Sequence, residues 1–555
     1  MITKNGCKVM KCLTSVLFVI LFATNLTAQS PEVKNIILMI PDGTSLASVS
    51  AARWFQRYQH PEKVNLNIDP YICGTILTYS SNAPIGDSAP TTSCYMTGYP
   101  SLAGYVATYP VADPVNDIVP MCPEKAYQPL VTLQEAARIA GNKSTGLVFT
   151  CEFPHATPAD CSAHSYNRSK YEWIAPQMVH NQIDVVIGGG VSLLNEENKQ
   201  FLESEGYGVF LNDISGFRDY PGGKMWALFA DKDMAYDIDR NPEAEPSLAE
   251  MTRIAIDKLS RNENGFFLMV EGSKIDWAAH ANDARAIISD MLAFDEACGE
   301  ALRFAEQDGE TLVIIVPDHG NSGISIGSNK CSGYSSLSKD QLFGSIAKFK
   351  TSIDALIAIL RKTTPADLRK TVLDLTGIAL TDSECTQLLQ SSDYNLSSLS
   401  DEERMKGSKM TKIVANILDK YTCFGFTTTG HTGEEVFLAV YDPRPGKRLT
   451  GFHTNIELNH YMRNAIGFDN RLELLTDEYF TRHTDVFKGY SFSIDTSKNS
   501  PILKVKNRKT TVEIRPNTNI IKHNGNDIKL NSVVVYVDKN ETFYLPKALR
   551  GLLER

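Results

Sequence analysis

Several polar side chains of this 555-residue sequence come shortly after the end of a short apolar run. In chain order they are Asp42, Thr157, Glu271, Asp318 and His319. Sets of carboxylates with imidazoles are typical of zinc sites, whereas carboxylates with a hydroxyl suit magnesium. One such aspartate alone would be explained as a helix cap, but helix capping does not explain all of them together. The pattern predicts a metal site.

Three more residues have the spacing or the setting of metal ligands. Asp276 and His280 are four residues apart, so on a helix they share one face, as the zinc-binding histidines of HExxH motifs do. A surface helical pair is the alternative explanation of that spacing alone. His431 lies in a glycine-flanked loop, where an imidazole can turn toward a metal. The candidate ligand sets are Asp276/His280/His431, Asp42/Asp318/His319 and the magnesium-like Asp42/Thr157/Glu271.

Ser88 is the candidate nucleophile. Asp87 before it can cap a helix start, and Pro90 is tolerated in a first helical turn. A serine there faces the positive end of the helix, which favours an alkoxide and a bound phosphate. Serine needs activation by a base or a metal, and a metal would make the base unnecessary. A plain capping turn is the alternative interpretation.

The elements that must position these residues are strands alternating with helices. The apolar runs that read as buried parallel strands are 36–40, 147–150, 185–187, 266–270 and 311–316. Helical patterns lie between them, around 133–140 and 287–304. This alternation predicts an α/β fold with a buried sheet. In such sheets ligands bind at the carboxyl ends of the strands, where the polar residues above would meet.

Two regions depart from the alternation. Residues from about 330 to 422 lack strand signals and carry amphipathic runs at 353–360 and 413–420, which predicts a mostly helical insertion. From 487 the pattern changes to short alternating strands with Asn and Gly turns. We therefore predict a catalytic domain at 29–486, with the insertion inside it, and a small C-terminal β or α+β module at 487–555.

The first residues have the pattern of a secretory signal peptide. Three lysines precede an apolar run over 12–23, and small residues then offer a cleavage site near Ala28. The predicted signal peptide is 1–28, and the mature protein would be secreted or periplasmic, without a transmembrane span. A single membrane anchor is the alternative, although the run is shorter than the ~20 residues that a span needs.

Composition excludes other classes of protein. The net charge of −10 argues against a general nucleic-acid binder. The mean hydropathy of −0.19 excludes a protein with several membrane spans. Nine cysteines would remain after the signal peptide, an odd number, so at least one should be free. Export permits disulfides, and the sequence leaves two candidate pairs open, Cys151 with Cys161 and Cys331 with Cys423.

Taken together, the motifs resemble the alkaline phosphatase family. They are Pro41-Asp42-Gly43, Asp87-Ser88-Ala89, Ala156-Thr157-Pro158, Val270-Glu271-Gly272, Ile275-Asp276, His280, Asp318-His319-Gly320 and His431-Thr432-Gly433, in the family's order. The resemblance spans residues 35 to about 470. It implies a three-layer α/β/α sandwich with a largely parallel central sheet, hydrolysis of phosphate monoesters, two Zn²⁺ and one Mg²⁺, and a homodimer.

The resemblance also implies a role for each residue. Ser88 would form a phosphoserine intermediate, and Arg168, eleven residues after Thr157, would hold the phosphoryl oxygens. The first zinc would take Asp276, His280 and His431, the second Asp42, Asp318 and His319, and the magnesium Asp42, Thr157 and Glu271. Beside these ligands, Trp277 stands where family members often carry Lys or His. His155 stands where some carry Asp. Both differences bear on metal preference and phosphate release.

Two other functions compete with this interpretation. A phosphodiesterase or sulfatase of the same superfamily is the closer one, because Ser88-Ala89-Pro90 partly matches the sulfatase signature. Thr92 stands where that signature has arginine, and diesterases of this group lack the magnesium-like set. The other alternative is a non-catalytic surface protein that binds metal or phosphate.

Overall fold

A ten-stranded sheet forms the centre of the protein in a computed structural model that describes residues 32–331, 333–391, 409–497, 500–508 and 510–554. Its strands are β1 (Asn35–Ile40), β2 (Ile72–Leu77), β3 (Ser144–Glu152), β4 (Val185–Gly189), β5 (Gly208–Leu211), β6 (Met225–Leu228), β7 (Phe266–Glu271), β8 (Thr311–Ile315), β9 (Val436–Tyr441) and β10 (Gly451–Thr454). The strand order is β10-β2-β9-β8-β1-β7-β3-β4-β6-β5. Only β9 runs against the others in this sheet, so the prediction of a largely parallel sheet is confirmed.

Helices cover both faces of the sheet. Before the insertion they are α1 (Leu46–Gln59), α2 (Ser88–Thr97), α3 (Leu133–Gly141), α4 (Ala156–Ala159), α5 (Tyr171–His180), α6 (Glu196–Ser204), α7 (Ile214–Asp219), α8 (Leu248–Leu259), α9 (Lys274–His280) and α10 (Ala284–Asp308). Ile37 and Met39 of β1 pack in one apolar core with α1 and α10. The alternate residues Ile36 and Leu38 pack in a second core with α3 and α5. A strand buried on both faces requires a layer on each side, which gives the predicted three-layer sandwich.

The predicted insertion is helical where the structure describes it. Its helices are α11 (Lys339–Phe343), α12 (Ile353–Leu360), α13 (Leu368–Thr376), α14 (Asp382–Leu389) and α15 (Lys409–Asp419). A disulfide between Cys331 and Cys423, 92 residues apart in sequence, joins the two ends of the insertion. The other candidate pair does not form, because Cys151 and Cys161 are separate buried thiols.

The chain ends in two small antiparallel sheets. After α16 (Asn455–Ala465), α17 (Arg471–Tyr479) and α18 (His483–Val486), the strands are β11 (Thr481–Arg482), β12 (Ser491–Asp495), β13 (Ile502–Lys506), β14 (Thr511–Ile514), β15 (Ile520–His523), β16 (Asn526–Lys529), β17 (Val535–Val537) and β18 (Thr542–Leu545), before α19 (Gly551–Glu554). Strands β12 to β16 form a meander, and β18 pairs with both β11 and β17. Val535 and Tyr544 belong to the same apolar core as α3 and α5, so these strands pack tightly on the larger part of the molecule.

Within the described ranges, no helix is both long enough and apolar enough to cross a membrane. The predicted signal peptide, 1–28, lies outside the described residues.

The disulfide gives a prediction about stability. Replacing both Cys331 and Cys423 with serine should lower the free energy of unfolding by about 2–4 kcal/mol, because the unfolded chain loses a constraint on a long loop. Urea unfolding of the variant and the parent would measure this change. Cys122→Ser, which removes an exposed free thiol, is the matched control. An unfolding midpoint shared by all three proteins would contradict the prediction.

Candidate active site

The polar residues that follow the strands meet at one edge of the sheet. Strands β8, β1, β7 and β3 are neighbours in that order. Asp318 and His319 follow β8, Asp42 follows β1, Glu271 ends β7, and Thr157 lies on α4 after β3. All of these side chains are fully buried. The parallel direction of the four strands therefore carries residues that are far apart in sequence to a common rim, as the alternation of strands and helices predicted.

Several buried oxygen atoms of this rim make no hydrogen bond. Neither oxygen of Asp42 accepts a hydrogen bond from any described residue, and the same holds for Asp318 Oδ2, Glu271 Oε1 and Thr157 Oγ1. Burial, with the charges of Asp318 and Asp276, raises the pKa of Asp42 well above its usual value. Burial also raises the pKa of Glu271 to about 8. Buried polar atoms are almost always satisfied, so these oxygens fit bound cations.

The imidazoles beside the rim are oriented by backbone carbonyls. His280 Nδ1 lies 2.7 Å from the Thr429 carbonyl oxygen, and His431 Nδ1 lies 2.9 Å from that of Gly86. A carbonyl only accepts, so each Nδ1 carries the hydrogen and each Nε2 is directed into the site. The two Nε2 atoms are 3.2 Å apart, and His280 Nε2 is 3.3 Å from Asp276 Oδ2.

The two rings differ in their affinity for a proton. Asp276 raises the pKa of His280 to about 9, whereas burial and His319 lower the pKa of His431 to about 4. His280 is then the proton donor and His431 the acceptor. The His319 ring stacks on His431 with 3.7 Å between centroids. Two imidazoles and a carboxylate that lie this close together are a fitting ligand set for a metal cation.

Ligand atoms of the described residues gather within 4.8 Å of one another in three groups, which are Asp42/Asp318/His319, Asp276/His319/His431 and Cys151/His155/Glu271. The first group is a predicted set. In the second group His319 joins two residues of the other predicted zinc set, whose third member, His280, contacts both of them. The third group contains Cys151, whose thiol donates to Glu271 Oε2 at 3.4 Å. Sequence reasoning considered Cys151 only as a disulfide candidate.

Ser88 is the first residue of α2 and is 2% exposed. Its Oγ lies 3.3 Å from His319 Nε2. The predicted capping role of Asp87 is wrong, because its side chain makes no capping hydrogen bond to α2. Its Oδ1 instead lies 2.6 Å from Arg168 Nη1, and its Oδ2 accepts from the Gly104 amide at 3.1 Å. A guanidinium offers this part-buried carboxylate a charged partner, which a helix amide cannot.

Arg168 reaches the rim from a loop. Its Nη2 lies 3.0 Å from His155 Nε2. Burial and the nearby guanidinium lower the pKa of His155, so that ring is neutral and accepts the hydrogen bond. Burial opposes ionisation of Asp87, but Arg168 outweighs it and holds the pKa of Asp87 below its usual value. The Trp277 ring lies beside His155, with 5.8 Å between centroids.

Asn321 is a site residue that sequence reasoning missed. Its Nδ2 donates to Asp276 Oδ1 at 2.7 Å and so fixes the orientation of that carboxylate. The signal available was its place two residues after His319, immediately beyond Asp318-His319-Gly320. An asparagine in a loop is common in any protein, and its neighbour Asp276 is remote in sequence, so the residue type alone did not single it out.

The chain is similar to known proteins over most of its length. The alkaline phosphatase family model matches residues 33–212 and 220–468. "Alkaline phosphatase 3" of Bacillus subtilis is 32% identical over 459 residues, which are 80% of this chain and 90% of that protein. The solved structure of a cold-active alkaline phosphatase from Shewanella sp. has a TM-score of 0.65 and 27% identity, covering 78% of this chain and 99% of that one. The structure of Thermus thermophilus alkaline phosphatase has a TM-score of 0.67 and 24% identity, covering 80% and 94%.

The similarity covers the site as well as the fold. The matched residues include every strand of the central sheet, and they include Ser88, Arg168 and all of the rim residues described above. The chain therefore belongs to the alkaline phosphatase family, and it is a phosphoric monoester hydrolase.

Proposed function

We propose that the chain hydrolyses phosphate monoesters through a phosphoserine intermediate on Ser88. One observation carries this proposal. The buried Ser88 hydroxyl lies at the start of a helix and 3.3 Å from His319 of the rim, and the residue before it, Asp87, binds Arg168. A phosphate seated there would meet the positive end of α2 and a guanidinium together.

The residues of the rim fit three cations. Asp276, His280 and His431 would hold one zinc, Asp42, Asp318 and His319 a second zinc, and Asp42, Thr157 and Glu271 a magnesium. The unpartnered oxygens and the inward-facing Nε2 atoms support this assignment. When bound, such cations lower the pKa of a hydroxyl and stabilise oxygens that gain negative charge.

The protein's own groups bind and orient the substrate. Arg168 donates two parallel hydrogen bonds to the phosphoryl oxygens, which a lysine cannot do. Asp87 and His155 each bind one terminal nitrogen of the guanidinium and so fix its orientation. Ser88 Oγ gives up its proton to solvent and bonds to phosphorus as the ester oxygen leaves and takes a proton. Water then attacks the phosphoserine, which restores the serine hydroxyl and releases inorganic phosphate.

The proposal also covers export, oligomeric state and domain organisation. The lysine-rich start and the apolar run after it support a signal peptide, 1–28, cleaved near Ala28, and a protein that acts in the periplasm or outside the cell. The disulfide between Cys331 and Cys423 suits an exported chain. We also propose a homodimer, and a division into a catalytic domain at 29–486 and a C-terminal module at 487–555.

Replacing the nucleophile tests the proposal directly. Ser88→Ala should lower the turnover of p-nitrophenyl phosphate by on the order of a thousandfold or more, because the covalent step is lost. Binding of inorganic phosphate, measured by calorimetry, should largely survive because Arg168 and α2 remain. Metal content and melting temperature serve as controls for folding. A variant with near-parental turnover would refute Ser88 as the nucleophile.

Removal of metals tests the cofactor assignment. Treatment with a chelator should abolish turnover, and Zn²⁺ followed by Mg²⁺ should restore it, since the ligand sets divide into imidazole-rich and oxygen-only groups. The same additions to Asp42→Asn should restore little, because Asp42 is shared by two of the sets. Full activity in the metal-stripped parent protein would contradict the proposal.

A comparison of esters tests the substrate class. We expect p-nitrophenyl phosphate to be hydrolysed faster than bis-p-nitrophenyl phosphate by one preparation, because Thr157 and Glu271 complete the magnesium-like set that diesterases of this group lack. Both rates should fall together in Ser88→Ala. A faster diester reaction would favour the phosphodiesterase alternative.

A further inference from the structure

The C-terminal strands contact the loop that carries Arg168. Asp538 directly follows β17, and its Oδ2 lies 3.0 Å from Lys170 Nζ. Burial and the charge of the same carboxylate raise the pKa of the Tyr166 hydroxyl, which lies near it. Lys539 Nζ lies 5.6 Å from the centroid of the Tyr166 ring. Lys170, which Asp538 binds, and Tyr166, which lies near it, therefore stand on either side of Arg168, each two positions away in sequence.

Two aromatic rings also contact the Lys170 ammonium. Its Nζ lies 3.5 Å from the centroid of the Trp173 ring and 4.6 Å from that of Tyr166. Trp173 in turn packs against the apolar core formed by the C-terminal strands. The ammonium is thus held between two rings and a carboxylate, and its side chain is only 19% exposed. Cation–π contacts and an ion pair together fix a lysine far better than either does alone.

The same loop also binds the segment 104–106, which contacts Asp87. The Arg168 amide donates to the Gly104 carbonyl at 2.7 Å, and the Gly104 amide donates to Asp87 at 3.1 Å. Val106 and Ser165 exchange two backbone hydrogen bonds of 2.7 and 3.0 Å. The loop is therefore bound by segment 104–106 on one side and by Asp538 through Lys170 on the other.

We propose that Asp538 is a positioning residue for Arg168, so that the C-terminal strands hold the phosphate-binding guanidinium in place from outside the site. This inference rests on the proposed function, because it assigns the binding of phosphate to Arg168. A residue needed for tight phosphate binding then lies in the C-terminal strands, beyond residue 468, where the match to the family model ends.

The experiment measures phosphate binding in the full-length enzyme. Asp538→Ala should raise both the inhibition constant for inorganic phosphate and KM for p-nitrophenyl phosphate by about three- to tenfold, the range expected for losing a part-exposed ion pair and a charged hydrogen bond. Asp538→Glu keeps the charge and should recover much of the effect. Glu205→Gln is the matched control, because it breaks an ion pair between Lys529 of the same strands and the far edge of the sheet, near β5.

Combination with Arg168→Ala separates positioning from general stability. If Asp538 acts through Arg168, adding Asp538→Ala to a protein that already carries Arg168→Ala should change the phosphate inhibition constant little. The inference is overturned if Asp538→Ala leaves that constant unchanged, if Glu205→Gln raises it equally, or if the effect persists in full without Arg168. If Arg168→Ala alone leaves phosphate inhibition unchanged, the proposed role of Arg168 fails instead.

Discussion

The rest of this structure depends on one constraint, which is the burial of carboxylate oxygens that accept no hydrogen bond. Asp42, Asp318 and Glu271 are fully buried at the ends of adjacent strands, and at least one oxygen of each has no hydrogen-bond donor among the described residues. Taking a carboxylate out of water costs several kcal/mol unless a positive partner offsets it. Such a cluster therefore fits bound cations, and the fold holds its oxygens together at the rim.

The parallel sheet supplies that rigidity. β1 is buried on both faces, and its alternate side chains are fixed in two separate cores. The loop after it can therefore present Asp42 without collapsing onto its neighbours. The imidazoles are fixed by a different device, since backbone carbonyls bind the Nδ1 atoms of His280 and His431 and leave each Nε2 directed inward. Backbone geometry thus fixes the position of the ligand atoms. Repulsion between the carboxylates cannot easily move them apart.

Local patterns in the sequence were sufficient to predict most of the fold and to single out residues that the structure brings together at the rim. The apolar runs that were predicted to be strands lie within, or almost coincide with, β1, β3, β4, β7 and β8. The amphipathic run at 353–360 coincides with α12. The features that were missed arise between segments distant in sequence. Asp87 was expected to cap its own helix, and only the folded loop brings Arg168 to it. The roles of Asn321 and Cys151, the choice of disulfide and the contact of Asp538 with Lys170 likewise depend on tertiary neighbours.

The central claim is that Ser88 becomes covalently phosphorylated during turnover. Its most direct test is to quench the metal-loaded enzyme in acid during hydrolysis of a phosphate monoester and to map the peptides by mass spectrometry. The account predicts a single added phosphoryl group on the peptide that contains Ser88, and none in enzyme quenched without substrate. Rapid turnover with an unmodified Ser88 peptide, or with the phosphoryl group on another residue, would contradict it.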